Sequence, residues 1–224
     1  MKKLLCKEFC LATPKLTYFF LAFTLMTFLP GYPILCGAFF VCFGLFQSYQ
    51  LGREDNDILY SVLLPVAKRD VVKAKYIFAV LIQLIAFLLC AIFTMIRMTA
   101  LAEAGPYVTN ALMAANFTFL GFVFLIFTVF NVIFIGGFFK TAYAYGKPFI
   151  IFIIVNFTVI GIAEALHHFP GMAFWNAVSG DAIGIQVVFA VLAMFVYIGG
   201  TFLSCTVYIV DVSVSSLCKI ATET

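Results

Sequence analysis

Residues 111–139 run without one charged side chain, and no other feature of the chain restricts its fold as strongly. About 20 such residues cross the hydrocarbon core of a bilayer as a helix. Backbone N–H and C=O groups find no water there, so a segment at that depth must satisfy them internally. Five further apolar runs accompany it, at 16–29, 34–51, 76–96, 149–163 and 182–205. The runs 16–29 and 149–163 are short for a bilayer; a helix starting at Pro14 or local thinning accommodates the first. Residues 111–139 are long enough to tilt. With 65% hydrophobic and 10% charged residues and a mean hydropathy of +1.15, the chain lies outside the range of soluble domains. The reading is an all-α integral membrane protein, one transmembrane domain over residues 1–224 with six membrane-spanning helices and no room for a separate soluble domain.

Six spans put both termini on one side, and the basic residues decide which. Four lysines near the N-terminus, five bases in 52–75, two in 136–148 and one in the tail make twelve, against Arg97 alone on the opposite side. The termini and 52–75 are therefore expected in the cytoplasm, and 164–181 outside. Residues 1–13 carry Lys2, Lys3 and Lys7 beside Leu4, Leu5, Phe9 and Leu11, the pattern of a short amphipathic helix on the inner leaflet. Glu8 intrudes on its apolar arc. A cleaved signal peptide is the rival reading of this basic start, but Pro30, Gly31, Tyr32 and Pro33 are not followed by a small-x-small cleavage pattern.

The stretch 52–75 holds nine of the 23 charged side chains. Glu54, Asp55 and Asp57 come first, then an apolar run over 58–64, then Pro65, then Lys68, Arg69, Lys73 and Lys75. Asp57, with Asn56 or Asp55, can cap a helix start, where free N–H groups and the positive dipole end favour carboxylates. Pro65 restricts Leu64 and tends to end that helix. Ile58, Leu59, Val62 and Leu63 share one face of it. Such a face suits either the membrane surface or a groove on a soluble partner.

On the outer side, 97–110 contains Arg97, Glu103 and the Gly105-Pro106 turn pair, with Thr109 or Asn110 as a cap for the helix that follows. Residues 164–181 hold Glu164, His167, His168 and Trp175, as an interfacial or re-entrant hairpin would. Adjacent histidines on a helix point about 100° apart, which speaks against a metal site. The seven cysteines form no C-x-x-C pair and read as packing residues. No phosphate-binding loop of the G-x-x-x-x-G-K-[ST] type occurs, nor any catalytic cluster, cofactor motif or nucleic-acid signature. No span has an Asp, Glu, Lys, Arg or His near its middle, unlike ion-coupled transporters, so the energy source is expected outside this chain. Gln83, Asn116, Asn131 and Asn156 are its interior polar residues, expected to bond between helices.

The string LLPVAKRDVVKAKY over 63–76, after a basic amphipathic N-terminus and two spans, resembles the first cytoplasmic loop of ABC-type exporter permeases of the second class. In that family a Leu-Pro-apolar-x-[KR] step leads through a hydrophobic pair and a small residue plus Lys into the third span. Here the counterparts are Leu64-Pro65-Val66-Ala67-Lys68, Val71-Val72 and Ala74-Lys75. The layout matches throughout, closest to small permeases of bacterial peptide exporters. The resemblance implies a bacterial plasma-membrane permease, paired with a second permease copy and two cytosolic ATPase subunits that bind ATP and Mg. Residues 57–64 would be the coupling helix in the ATPase groove, with Glu54, Asp55, Lys68 and Arg69 at its flanks, and 1–13 the elbow helix. A short 164–181 hairpin argues against a large external gate. The alternative is a membrane scaffold or immunity subunit that binds a cytosolic partner through 52–75 without translocating anything.

Overall fold

The computed structural model describes residues 2–55, 67–141 and 144–222, and among them the chain is helical throughout, with no strand. Helix α1 (Lys2–Lys7) runs into a π-helical turn, Glu8–Ala12, and stops at Thr13 and Pro14, both in extended backbone. Helix α2 (Lys15–Phe19) then tightens into a 3-10 stretch, Phe20–Phe28, at 84° to the first segment. Thr24 and Thr27 donate to the carbonyls of Leu21 and Thr24, three residues back, which satisfies their hydroxyls in an apolar setting. Gly31, at φ +72, turns the chain into α3 (Cys36–Glu54).

Helix α4 (Lys68–Thr99) and the short α5 (Gly105–Val108) lead to a central rod. That rod is α6 (Phe117–Val129), a π-helical turn Phe130–Ile135, and α7 (Gly136–Lys140). Helix α8 (Gly146–Leu166), a 3-10 turn Ala173–Asn176 and α9 (Ala182–Thr222) complete the order.

Among the described residues four helices are long and apolar enough to cross a membrane: Arg69–Thr99, Phe117–Lys140, Gly146–Leu166 and Ala182–Ile209; counting the bent N-terminal pair gives five. Helix α3 is not among them, because Gln47, Gln50, Arg53 and Glu54 lower the hydropathy of its second half. Burial divides the bundle into a centre and a periphery. The most apolar window of Phe117–Lys140 is 72% buried, against 22% in α8 and 17% in α9, so the rod is the axis of the bundle. Ile150, Ile154 and Phe157 of α8, and Phe195, Phe202 and Leu203 of α9, face outward as a lipid-contacting surface requires.

Aromatic rings fill the interior. Phe46 stacks on Phe149 at 3.7 Å, and Phe130, Phe134 and Phe152 close the space between α3, the rod and α8. Close backbone approach is set by glycine: a Cβ on Gly121 would meet the Phe189 ring at 2.5 Å and the Ala190 Cα at 3.3 Å. Without Gly121, α9 would have to move off the rod.

Several boundaries differ from those read in the sequence. Helix α4 begins at Lys68, so Lys68, Arg69, Lys73 and Lys75 lie on the first turns of a membrane helix and are not a flanking arm. The fourth helix starts at Phe117, capped by Asn116, whose side chain accepts from the Phe119 N–H, so neither Thr109 nor Asn110 is its cap. Residues 111–115 instead follow an irregular path tied down by side chains from elsewhere. Helix α8 extends to Leu166 and is not short; it therefore contains Glu164, which sequence reading placed in a hairpin.

Candidate functional site

Three polar clusters mark the bundle at its middle and at its two ends. The middle one lies beside the π-helical turn, where an extra residue per turn re-aims Asn131 toward α4 and α9. Gln83 and Asn131 exchange two hydrogen bonds, Nε2 to Oδ1 at 2.8 Å and Nδ2 to Oε1 at 2.9 Å. The Asn131 amide also donates to Thr201 Oγ1 at 2.9 Å, and the Tyr197 hydroxyl donates to Gln83 Oε1 at 2.9 Å. The Ser204 hydroxyl reaches the Asn131 carbonyl at 3.3 Å and shares a 2.8 Å bond with the Tyr76 hydroxyl. Gln83 and Asn131 are fully buried, so α4, the rod and α9 are held in one register by bonds that water cannot replace. Gln83 and Asn131 thus bond between helices as their types suggested. Asn156, also fully buried, does not: neither atom of its amide has a hydrogen-bond partner.

The end of the bundle that holds the N-terminus carries charge. Glu8, 3% exposed, accepts from Lys75 Nζ at 2.8 Å, and Lys7 Nζ stands 3.7 Å from its other oxygen. The Lys75 ammonium also lies 5.7 Å from the centre of the Tyr49 ring, and the Tyr49 hydroxyl donates to the Lys75 carbonyl at 3.3 Å. Phe9 meets Phe78 edge-on at 4.9 Å, and the Tyr18 hydroxyl donates to the Phe9 carbonyl at 2.8 Å. The intrusion of Glu8 into the apolar arc is thereby explained: Leu4 and Glu8 both turn into the protein, and Lys2 and Lys3 turn outward. Sequence reading missed the pair because its members lie 67 residues apart.

At the opposite end, side chains bind the irregular 110–116 segment. Asn110 Oδ1 accepts from the Gly31 and Leu112 N–H groups, Glu164 Oε2 from Met113 N–H at 2.8 Å, and Asn176 Oδ1 from Ala114 N–H. Asn116 Nδ2 donates to the carbonyls of Trp175 and Ala177. His167 Nε2 lies 3.1 Å from the Ala111 carbonyl, which fixes that nitrogen as the donor. The His167 and His168 ring centres are 4.1 Å apart, nearer than the helical geometry assumed for them allows, because both lie where α8 ends. Trp175 packs edge-on against Phe189 at the head of α9. Arg97, 5% exposed, donates to the Thr27 carbonyl at 2.7 Å and lies 4.3 Å over the Tyr107 ring, whose hydroxyl donates to the Phe28 carbonyl. Among the described residues no three His, Cys, Asp or Glu side chains converge on a point that could hold a metal ion.

Of the partner-binding residues named above, Asp57, Ile58, Leu59, Val62, Leu63 and Pro65 lie outside the described residues. Glu54 and Asp55 end α3, where Gln50 Nε2 donates to Glu54 Oε1. Arg69 is exposed on the first turn of α4. Among the cysteines, Cys36, Cys42 and Cys90 are buried packing residues, as expected; Cys6 and Cys10 are exposed, with their sulfurs 4.0 Å apart.

These features define a polytopic α-helical membrane protein, latched by side chains at the end away from its N-terminus, with no cluster of metal-ligating side chains among the described residues. The sequence model of the ABC-2 family transporter proteins matches residues 3–217, nearly the whole chain, and the chain belongs to that family, the ABC-2 type permeases. No curated protein and no solved structure matches it.

Proposed function

We propose that the chain is the permease subunit of an ATP-binding-cassette exporter, moving peptides or other amphipathic molecules outward on ATP hydrolysed by separate cytosolic subunits. The single observation that carries this reading is the family match, which runs from α1 to the far part of α9 and takes in the charged loop and the 164–181 connection. In this reading six segments cross the membrane: the α2 and 3-10 segment, α3, α4, the α6–α7 rod, α8 and α9. Helix α3 qualifies because protein surrounds it: Ser48 and Tyr49 are buried, and its charges come last, at the cytoplasmic surface. Residues 1–13 form the elbow, and 57–64 the coupling helix seated in an ATPase groove. Two ATPase subunits, which bind ATP and Mg, and a second permease copy complete the assembly in a bacterial plasma membrane, with both termini cytoplasmic. The lack of Asp, Glu, Lys, Arg and His near the middles of the spans agrees with an external energy source.

Co-expression with the ATPase subunit, purification and reconstitution into vesicles test this. ATP-dependent accumulation of a fluorescent amphipathic peptide in inverted vesicles, absent with either subunit alone, is the expected result. A chain that binds no ATPase overturns the reading.

A further inference from the structure

The described cysteines fall into two groups. Cys36, Cys42 and Cys90 are buried and Cys205 is half-buried, whereas Cys6 and Cys10 are exposed. The sulfurs of the exposed pair stand 4.0 Å apart. Cys6 belongs to α1 and Cys10 to the π-helical turn that continues it, so the pair straddles the junction of the two. Lys3 and Lys2, also exposed, precede Cys6 by three and four residues and therefore share its side of the helix. Leu4 and Glu8 face the protein instead. The thiols thus lie on the polar, basic side of an amphipathic helix, which on a membrane surface is the side open to headgroups and water.

A direct disulfide fits this backbone badly. A helix holds Cβ atoms four residues apart at about 5–6 Å, whereas a disulfide needs about 3.5–4.5 Å, so closure would unwind the turn. One atom between the sulfurs requires no such change. With metal–sulfur bonds of about 2.3 Å, an ion bridges the 4.0 Å gap at a sulfur–metal–sulfur angle of about 120°, and a small rotation about either χ1 widens it. Thiolates select soft partners, among them Cu(I), zinc and iron–sulfur clusters. Structural zinc takes four ligands and iron–sulfur clusters four cysteines. No third His, Cys, Asp or Glu side chain among the described residues joins Cys6 and Cys10. Monovalent copper, a filled-shell ion satisfied by two or three sulfurs, is the member of that set which two thiolates can hold. A bis-thiolate copper unit carries one net negative charge, which the neighbouring Lys2 and Lys3 offset.

We propose that Cys6 and Cys10 form a two-thiolate site for Cu(I) on the exposed side of the N-terminal helix. Two S–H bonds break and two Cu–S bonds form, the protons pass to water, and copper stays monovalent throughout. The bound ion staples α1 to the π-helical turn.

The test uses the complete chain in detergent micelles, with Cys205 and Cys218 replaced by serine and ascorbate present to keep copper reduced. Cu(I) is offered as its coloured bicinchoninate complex, and loss of colour reads its transfer to the protein. One Cu(I) per chain is expected, with sulfur neighbours only in X-ray absorption at the copper edge. A chelate with two linked arms binds about 10²–10⁴ times more tightly than one arm alone, so Cys6→Ser and Cys10→Ser should each weaken binding about a hundredfold or more. Both substitutions lie at exposed positions, and unchanged helical circular dichroism shows that the fold is kept. Zn(II) at the same concentration should not displace the copper. Copper held equally by the parent and both variants, or nitrogen and oxygen neighbours at its edge, overturns the inference. A parent that takes up no copper overturns it too, and closure of Cys6 to Cys10 by diamide would then mark the pair as a redox site.

Discussion

Replacing Gln83 by leucine removes a side chain that α4 contributes to the middle of the bundle at almost constant volume. Three hydrogen bonds disappear with it, the reciprocal pair with Asn131 and the one accepted from Tyr197. Side-chain bonds between helices in a membrane are worth about 0.6 kcal/mol each on average, so the bonds alone account for about 2 kcal/mol. The larger effect is what they leave behind. Asn131 Oδ1 loses its donor and the Tyr197 hydroxyl its acceptor in a place closed to water, and a buried orphaned polar group costs about 1–3 kcal/mol. Asn131 Nδ2 keeps Thr201 Oγ1, which limits the loss. The sum, after some relaxation, is about 3 kcal/mol of destabilisation, read as a shift of the SDS unfolding curve in mixed micelles. Because both costs arise from a shared network, the changes must not add. Gln83→Leu with Asn131→Leu should lose well under the sum of the single variants, since the double variant leaves fewer orphaned groups. Additive losses, or a Gln83→Leu protein as stable as the parent, would refute the network.

Asn156→Leu should act in the opposite direction, stabilising by about 1 kcal/mol in the same titration, because it replaces a buried amide with no hydrogen-bond partner; a loss of stability would mean that the amide is satisfied. Arg97→Met removes a charged hydrogen bond to Thr27 and a stack on Tyr107, together worth about 2–4 kcal/mol. Amide hydrogen exchange at 28–31 should quicken at least tenfold, and an unchanged rate would show that the 3-10 end is held by other means. For orientation, cysteines introduced at Ser61 and Ser179 should react with an impermeant maleimide only in broken cells and in intact cells, respectively; labelling of Ser61→Cys in intact cells contradicts the charge bias.

Hydropathy found the α4, rod, α8 and α9 segments because each is apolar over a length that only a membrane helix needs. It misplaced the start of the rod because Ala111, Leu112, Met113 and Ala114 look helical, whereas their backbone groups are bound by Asn110, Glu164, His167 and Asn176 side chains. Those bonds join residues far apart in sequence, and periodicity carries no trace of them. Glu8 was legible as an anomaly on an amphipathic helix, but the explanation lay in Lys75. Gln83 and Asn131 were legible as interhelical polar residues, and which partners they chose depended on the π-helical turn, which no residue pattern announced. The 4.1 Å approach of the His167 and His168 rings was not legible, because helix geometry was applied at a point where the helix ends.

The central claim, that an ATPase is carried on the 52–75 loop, is tested most directly by co-purification of Leu59→Asp and Leu63→Asp. Burying each leucine in a groove is worth about 1.5–3 kcal/mol, and an unpaired aspartate there adds a further penalty. Either substitution should lower retention of the ATPase at least tenfold while the permease inserts at the parental level, since the change lies outside the membrane spans. ATPase retained at the parental level in both variants would contradict the account.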